Sequence, residues 1–370
     1  MFKRCVIKTN KAFALVTDQI YKEIPELRKV ESGVAVLLRS STFPGSLTVN
    51  ENVREFCSRI HTFYFTSTFK LQADQTVRED FKAAVPKIVQ EFGGKIQTSA
   101  PSFAYFQESL FSNSLILFVS RGRFVLGTWQ GVYLNAHEKS SECYVHNVNV
   151  MVLPCKEKHS LTSFTASSRG SHAVNRDKVL SELCKRYSLL FVSTLHTSAS
   201  LSLSIPSAKN LEPYLNRIVP ARWNREFFKH NYEGDDDMPG HLKSSICGVT
   251  FVVPSQFLKS NVSAIQLNEH RDCGGWGGGH TRKISCLGLK SSFSKVISNV
   301  STGQLTDVLC KYIKEIKFKS EASGILVISV RVVENTVQKK IAIFEYAHTH
   351  RFQIPTLRSN SLRPHSPRTS

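Results

Sequence analysis

Twelve residues of this 370-residue chain, from His230 to His241, carry two imidazoles and four carboxylates, together with Gly and Pro. Carboxylates packed so closely repel one another and raise each other's pKa values. A bound cation, or the two histidines, would relieve that repulsion. Hard cations favour carboxylate oxygens, whereas imidazole suits zinc-like metals. The plainer reading is a solvated acidic turn that caps a helix after Pro239.

The elements that must position this run are found by looking for internal similarity. Near the start, the chain from Phe13 reads as a strand end passing into a helix, with Thr17 or Asp18 as its N-cap. An apolar strand from Gly33 to Arg39 follows, and then a polar stretch ending in Asn50-Glu51-Asn52. The same order returns in the middle: a helix from Val179, a strand from Ser188, and then His196-Thr197-Ser198-Ala199. The segment from Glu108 parallels the segment from Ser244, and each leads through a strand pair to a histidine, His137 and His270. A helix start at Gln304 and a strand from Gly324 resemble the opening of a third copy.

The expected class is α+β: two units of antiparallel β-sandwich flanked by helices, plus a partial third unit. The boundaries fall at 1–154 for the first copy, 160–290 for the second and 291–350 for the partial third. Residues 351–370, basic and rich in Ser and Pro, read as a disordered tail. No run of about eighteen apolar residues occurs, so no membrane-spanning helix is expected. Nine scattered cysteines without a Cys-x-x-Cys pair argue against a disulfide framework or a thiolate zinc site, and for a reducing compartment. The cytoplasm is the expected location. The basic opening Met1-Phe2-Lys3-Arg4-Cys5 leaves a mitochondrial leader as the alternative. A net charge of +19 suggests an acidic partner, either a phosphorylated small molecule or RNA.

These motifs resemble those of the secondary thiamine-phosphate synthase family, the YjbQ-type proteins. The family's pattern has a His-Thr-Ser-Ala segment followed by Asn-Glu-Asn, an acidic run closed by histidine, a Gly-Thr-Trp-Gln-Gly segment and a final Glu-His. The two copies keep complementary parts. The first retains Asn50, Glu51 and Asn52 and an intact segment from Gly127 to Gly131. It has Thr42 at the first histidine position and Ala136 before His137, and Tyr105-Phe106-Gln107 stands where the second copy has His241-Leu242-Lys243. The second retains His196, the acidic run and Glu269-His270-Arg271. It has Ser204-Ile205-Pro206 for Asn-Glu-Asn, and residues 260–264 in place of Gly-Thr-Trp-Gln-Gly. Complementary loss predicts either a composite site to which each copy contributes half, or simple decay, with a relic in the second copy and the first as its scaffold. The resemblance further implies trimers in the family, so the fused copies are expected to form a pseudo-trimer within one chain, or an oligomer.

The activity the resemblance implies is a phosphate- or diphosphate-handling transfer, sited mainly in the second copy. His196, His241 and His270 are expected to converge, as ligands of a divalent metal (Mg or Zn) or as protonated phosphate donors. Glu233, Asp236 and Asp237 are the carboxylates for metal binding or general-base work, and Asp235 departs from the family pattern. Lys243 and Arg271 are expected to hold phosphate, and Asn50, Glu51, Gln130 and His137 to reach across from the first copy. Trp129 reads equally as a packing residue. The alternative is an inactive pseudoenzyme, a basic scaffold for RNA or a ribonucleoprotein. The glycine-rich stretch 273–280 lacks the Gly-Lys-Ser/Thr of a phosphate loop and reads as a turn between two strands, with His280 outside any site.

Overall fold

The computed structural model describes residues 1–9, 13–40, 44–51, 76–88, 101–137, 144–155, 161–168, 170–174, 177–204, 211–259, 264–271, 280–290, 293–298, 323–333 and 336–346. Thr42, Asn52, the glycines of 273–279, the helix expected at Gln304 and the tail 351–370 lie outside them. The chain divides into one compact unit over Met1–Ser291 and a second over Ser292–Ser370.

The first unit holds both copies, and they repeat each other strand for strand. In the first, β1 (Phe2–Thr9), β8 (Tyr144–Pro154), β3 (Ser32–Arg39), β5 (Ser114–Ser120) and β6 (Arg123–Phe124) form one antiparallel sheet in that order. A second sheet runs β2 (Phe13–Leu15), β7 (Gln130–Ala136), β4 (Gly45–Glu51). In the second copy, the sheet β9 (Leu161–Ser168), β15 (His280–Leu289), β11 (Leu189–Thr194), β13 (Thr250–Pro254) repeats the order of β1-β8-β3-β5. The sheet β10 (Ser171–Ala173), β14 (Ala264–Glu269), β12 (Ala199–Ser204) repeats β2-β7-β4.

The Leu- and Val-rich stretch Leu189–Val192 supplies a strand buried on both faces, whereas Ser32–Arg39 buries Gly33, Ala35 and Leu37 on one face and is partly open at Val36 and Leu38 on the other. Within each copy the apolar side chains of the two sheets merge into one core. Cys5, Ile7, Leu37 and Val150 meet Leu47, Val49, Val132 and Leu134 in the first copy. Val192, Ile284 and Cys286 meet Leu201, Ile265 and Leu267 in the second.

A third core belongs to neither copy alone. Val77, Phe81, Ala84, Val85 and Ile88 on the helix 76–88, with Phe111, pack against Val219, Trp223, Phe228, Met238 and Leu242 of the second copy. The copies therefore share an apolar, helix-built interface, and any site at its edge inherits that rigidity. Against this interface lie two eleven-residue helices at matching places in the repeat, Pro101–Phe111 and Asp237–Cys247. Both contact β4, whose residues are buried along its whole length.

The second unit is a three-stranded antiparallel sheet in the order β16 (Phe293–Ser298), β18 (Thr336–Tyr346), β17 (Ser323–Val333). Among the described residues no helix is long and apolar enough to cross a membrane, and no disulfide occurs.

Candidate functional site

The acidic run folds as a loop leading into the helix Asp237–Cys247. Gly234, at φ +119°, turns the loop where a side chain would be strained. Pro239 falls in the first helical turn, where its missing N–H costs nothing. Gly248, at φ +89°, ends the helix and donates its N–H to the Ser244 carbonyl. The helix thus begins at Asp237, two residues before Pro239.

Asp237, His241 and Ser245 lie at i, i+4, i+8 and share one face. That face meets the end of β4 from the other copy. His241 Nε2 is 3.3 Å from Glu51 Oε2 and 3.3 Å from Asp237 Oδ2. His230 Nε2 is 2.9 Å from Asp237 Oδ2 and 3.9 Å from Glu51 Oε2. All four residues are buried. Ser245 Oγ accepts a hydrogen bond from Asn50 Nδ2 at 3.3 Å.

The first copy also fixes the loop that carries His230. Asp80, on the helix 76–88, accepts the backbone N–H groups of Lys229 and His230, and Thr76 Oγ1 lies 3.4 Å from His230 Nδ1. Helix 76–88 thereby holds His230 from behind while β4 supplies Glu51 in front.

Charge at this cluster is strongly coupled. Burial pushes the Glu51 carboxyl up, and His241 and His230 offset only part of that. Burial also opposes ionisation of Asp237, but His241, His230 and Arg271 hold its carboxyl well below the usual range. For His241, burial disfavours the cation, yet Asp237 and Glu51 outweigh it and raise the imidazole above its ordinary value. Among the described residues, buried His241 Nδ1 has no hydrogen-bond partner, so none of them enforces a tautomer from behind.

Around the cluster, Arg271 Nη1 pairs with Asp237 Oδ1 at 2.9 Å and lies 3.8 Å from Glu233 Oε2, while Nη2 donates to the Glu233 carbonyl. Glu233 is exposed, and its carboxylate can join His230 and Asp237 within ligand range. Asp235 points outward to Arg225. Asp236 is buried just before the helix, and its carbonyl accepts the Gly240 N–H.

His270 does not join His241. Glu269 and His270 are adjacent at the end of β14 and face opposite ways. Glu269 takes both Arg282 Nε and Nη2 in a buried pair, the second at 2.8 Å, whereas His270 Nδ1 meets Glu212 Oε1 and Nε2 lies 2.9 Å from Ser200 Oγ. Both imidazole nitrogens are thus engaged. Lys243 belongs to that same network: fully buried, it donates to Glu212 Oε2 at 2.8 Å and Asn216 Oδ1 at 2.7 Å. Its ammonium neutralises a buried carboxylate instead of meeting a phosphate.

The first copy repeats the His270 arrangement. His137 Nε2 lies 2.9 Å from Ser46 Oγ, and Asn135 Nδ2 donates to Ser46 and Thr48 as Asn268 Nδ2 does to Ser200 and Ser202. His137 thus braces its own sheet and does not reach across. Gln130 does reach across: its Oε1 accepts the Gly127 N–H, and its Nε2 donates to the His196 carbonyl at 2.9 Å. Trp129, beside it, is partly exposed.

One ligand atom each from Glu51, His230 and His241 can lie within 4.8 Å of one another, as can one each from His230, Glu233 and Asp237. His196 and His270 are in neither set. His230 is the residue that sequence reasoning left off the site, although it opens the run that drew attention first. Its signal was there in the pairing of a histidine at each end of four carboxylates.

A profile of UPF0047 proteins, YjbQ-like, matches the chain twice, over residues 3–153 and 161–272. The chain belongs to the YjbQ-like family. The UPF0047 protein YjbQ of Escherichia coli O157:H7 is 37% identical over 124 residues, spanning 30% of this chain and 87% of that protein. A UPF0047 protein of Methanocaldococcus jannaschii is 30% identical over 129 residues, 34% of this chain and 78% of that protein. Among solved structures, a YjbQ/UPF0047-family protein from Clostridium acetobutylicum, described as uncharacterized, matches at 22% identity and a TM-score of 0.29, covering 40% of this chain and 98% of its own. A YjbQ-like protein from Sulfolobus solfataricus P2 matches at 14% identity and a TM-score of 0.29, covering 41% of this chain and 96% of its own, and is described as of unknown function.

These findings correct the expected activity. The YjbQ relatives carry the name of an uncharacterised family, and none is described as a thiamine-phosphate synthase or a phosphate transferase. The double match supports the duplication, and the family's name lends nothing to a phosphate-transfer reading.

Proposed function

We propose that the cluster between the two copies binds one divalent, zinc-like cation and serves metal-assisted hydrolysis of a small substrate. The observation that carries this is spacing. A tetrahedral centre with bonds of about 2.0–2.1 Å keeps its ligand atoms roughly 3.3–3.4 Å apart. The imidazole and carboxylate atoms here, drawn from both copies, are 3.3, 3.3, 2.9 and 3.9 Å apart. Two imidazoles with carboxylates favour zinc over magnesium, which prefers an all-oxygen octahedron.

Glu51, His230 and His241 would hold the ion, with Asp237, which faces the same Nε2 atoms, as a further ligand. The ion would supply Lewis-acid polarisation and activation of water. Glu233, the exposed carboxylate of the cluster, would take and return a proton, and Arg271 holds Asp237 and Glu233 in register.

Calorimetric titration of dialysed protein with zinc tests the reading. Binding of one equivalent, lost in His241→Ala, is the expected result; no binding by the wild type would sink it. The hydrolytic part is tested on activated esters, amides and lactones, where Glu233→Gln should lower turnover without releasing zinc.

We also read residues 291–350 as a partial third copy. Its strand order β16-β18-β17 runs first, last, middle, as do β1-β8-β3 and β9-β15-β11.

A further inference from the structure

His196 stands beside the proposed metal cluster without entering it. The Ser198 backbone N–H donates to His196 Nδ1 at 3.1 Å, and Ser198 Oγ lies 3.0 Å from the same nitrogen. A backbone amide can only donate, so Nδ1 must present a lone pair. The neutral ring then carries its proton on Nε2. Among the described residues that Nε2 has no hydrogen-bond partner. Burial, reinforced by Arg282 and His241, lowers the imidazole to about 3, so the ring is neutral at ordinary pH.

Its surroundings fix its place. Ser198 packs against the first turn of the helix Asp237–Cys247: a Cβ at Gly240 would stand 3.0 Å from the Ser198 Cβ. The ring feels His241, Arg271 and Asp237 electrostatically. From the first copy, Gln130 Nε2 donates to the carbonyls of Thr194 and His196 at 3.4 and 2.9 Å. Gly127 lies so close to the Leu195 carbonyl that a Cβ would come within 2.1 Å of it. The intact Gly-Thr-Trp-Gln-Gly segment of the first copy thus pins the backbone that carries His196.

We propose that His196 is a hydrogen-bond donor, not a metal ligand: its Nε2–H is held out to a substrate oxygen that carries or develops negative charge, with Gln130 and Gly127 as positioning residues. Ligation through Nε2 would require that nitrogen to give up its proton while Nδ1 still faces a donor. A preset neutral donor costs no reorganisation when charge builds on the substrate, which is how such groups lower a barrier. The proposal rests on the metal-site reading only for where the substrate lies; the tautomer stands apart from it.

The test uses the full chain with ¹⁵N-labelled histidine, studied by long-range ¹H–¹⁵N correlation before and after loading with ¹¹³Cd. The His196→Gln variant assigns the resonance. His196 should show an unprotonated Nδ1 and a protonated Nε2 from pH 6 to 8, and no coupling to cadmium, while His230 and His241 couple. Cadmium affinity should change less than about threefold in His196→Gln, against a loss beyond about 100-fold in His241→Ala, since even outer-sphere changes cost 10–100-fold. A protonated Nδ1, an imidazolium at neutral pH, or cadmium coupling to His196 would overturn the proposal. Absence of coupling to any histidine would strike the metal reading, and the tautomer would still decide this one.

Discussion

At position 51, glutamate and glutamine have nearly the same shape and differ in charge. Burial raises the Glu51 carboxyl more than His241 and His230 lower it, so in the metal-free protein its charge is a net burden. The sign follows from linkage. A carboxyl raised in the folded state weakens stability above that raised value, and the penalty vanishes below the unfolded one. Glu51→Gln should therefore leave the metal-free melting temperature at pH 7.5 unchanged or higher, while weakening zinc binding by more than about 100-fold. A lower metal-free melting temperature would mean that the pairing with the imidazoles outweighs burial. Sites that trade stability for function in this way are the expected pattern. The sequence marked His241 and Asp237 because charged residues clustered without an apolar reason stand out, and Glu51 through the resemblance of Asn50-Glu51-Asn52 to the family's pattern. It could not mark His270 as engaged elsewhere, since that depends on which way two adjacent strand residues face. Nor could it show that Lys243 meets Glu212, because that pairing joins two helices across 31 residues.

Segments, more than single residues, explain why the two copies lost different motifs. The loop from Gly127 to Gln130 survives where it supports the other copy's His196, and the acidic run survives on the helix that faces the other copy's Glu51. Gly127→Ala tests the loop. Its Cβ would meet Leu195 backbone at 2.1 and 2.8 Å, and backbone has little room to yield. A loss of about 1–3 kcal/mol is expected in urea unfolding, the usual range for overpacking. The His196 histidine signal should broaden or shift with it; an unchanged signal would separate the loop from His196. The first copy gives a second prediction. Burial, with Arg39 adding its charge, lowers both His137 and His146 to about 4. A lowered histidine contributes stability above its unfolded value near 6.5, lost as pH falls from there towards 4. The loss is on the order of 3 kcal/mol per histidine at most. Urea unfolding at pH 7.5, 5.5 and 4.5 should fall less steeply in His146→Gln than in wild type; parallel slopes would remove His146 from the account. Repetition of strands and of the terminal histidines was legible in the sequence. That these histidines brace Ser46 and Ser200 was not, because hydroxyl partners leave no periodic trace.

At the scale of the whole molecule, the described residues hold two copies of one fold and, on the proposed reading, one site. At the place in the helix Pro101–Phe111 that matches His241 stands Tyr105, more than half exposed, followed by Phe106 and the buried Gln107. Nearby, Arg39 donates to the Gly45 carbonyl and pairs with Glu108 at 3.1 Å, with its guanidinium 3.4 Å from His146. That interior carries its own neutralised charge, and burial of Arg39 makes the arrangement costly to break. It offers no pair of imidazoles facing a carboxylate, and both ligand sets among the described residues share His230. The composite arrangement therefore predicts a stoichiometry. Zinc added to dialysed protein, followed by gel filtration and metal analysis, should remain at one ion per chain, and Glu51→Gln or His230→Ala should each abolish that one. Two ions per chain would place a second site in the first copy. One ion retained by both variants would place the site away from the interface between copies, and the reason offered here for their complementary losses would fall with it.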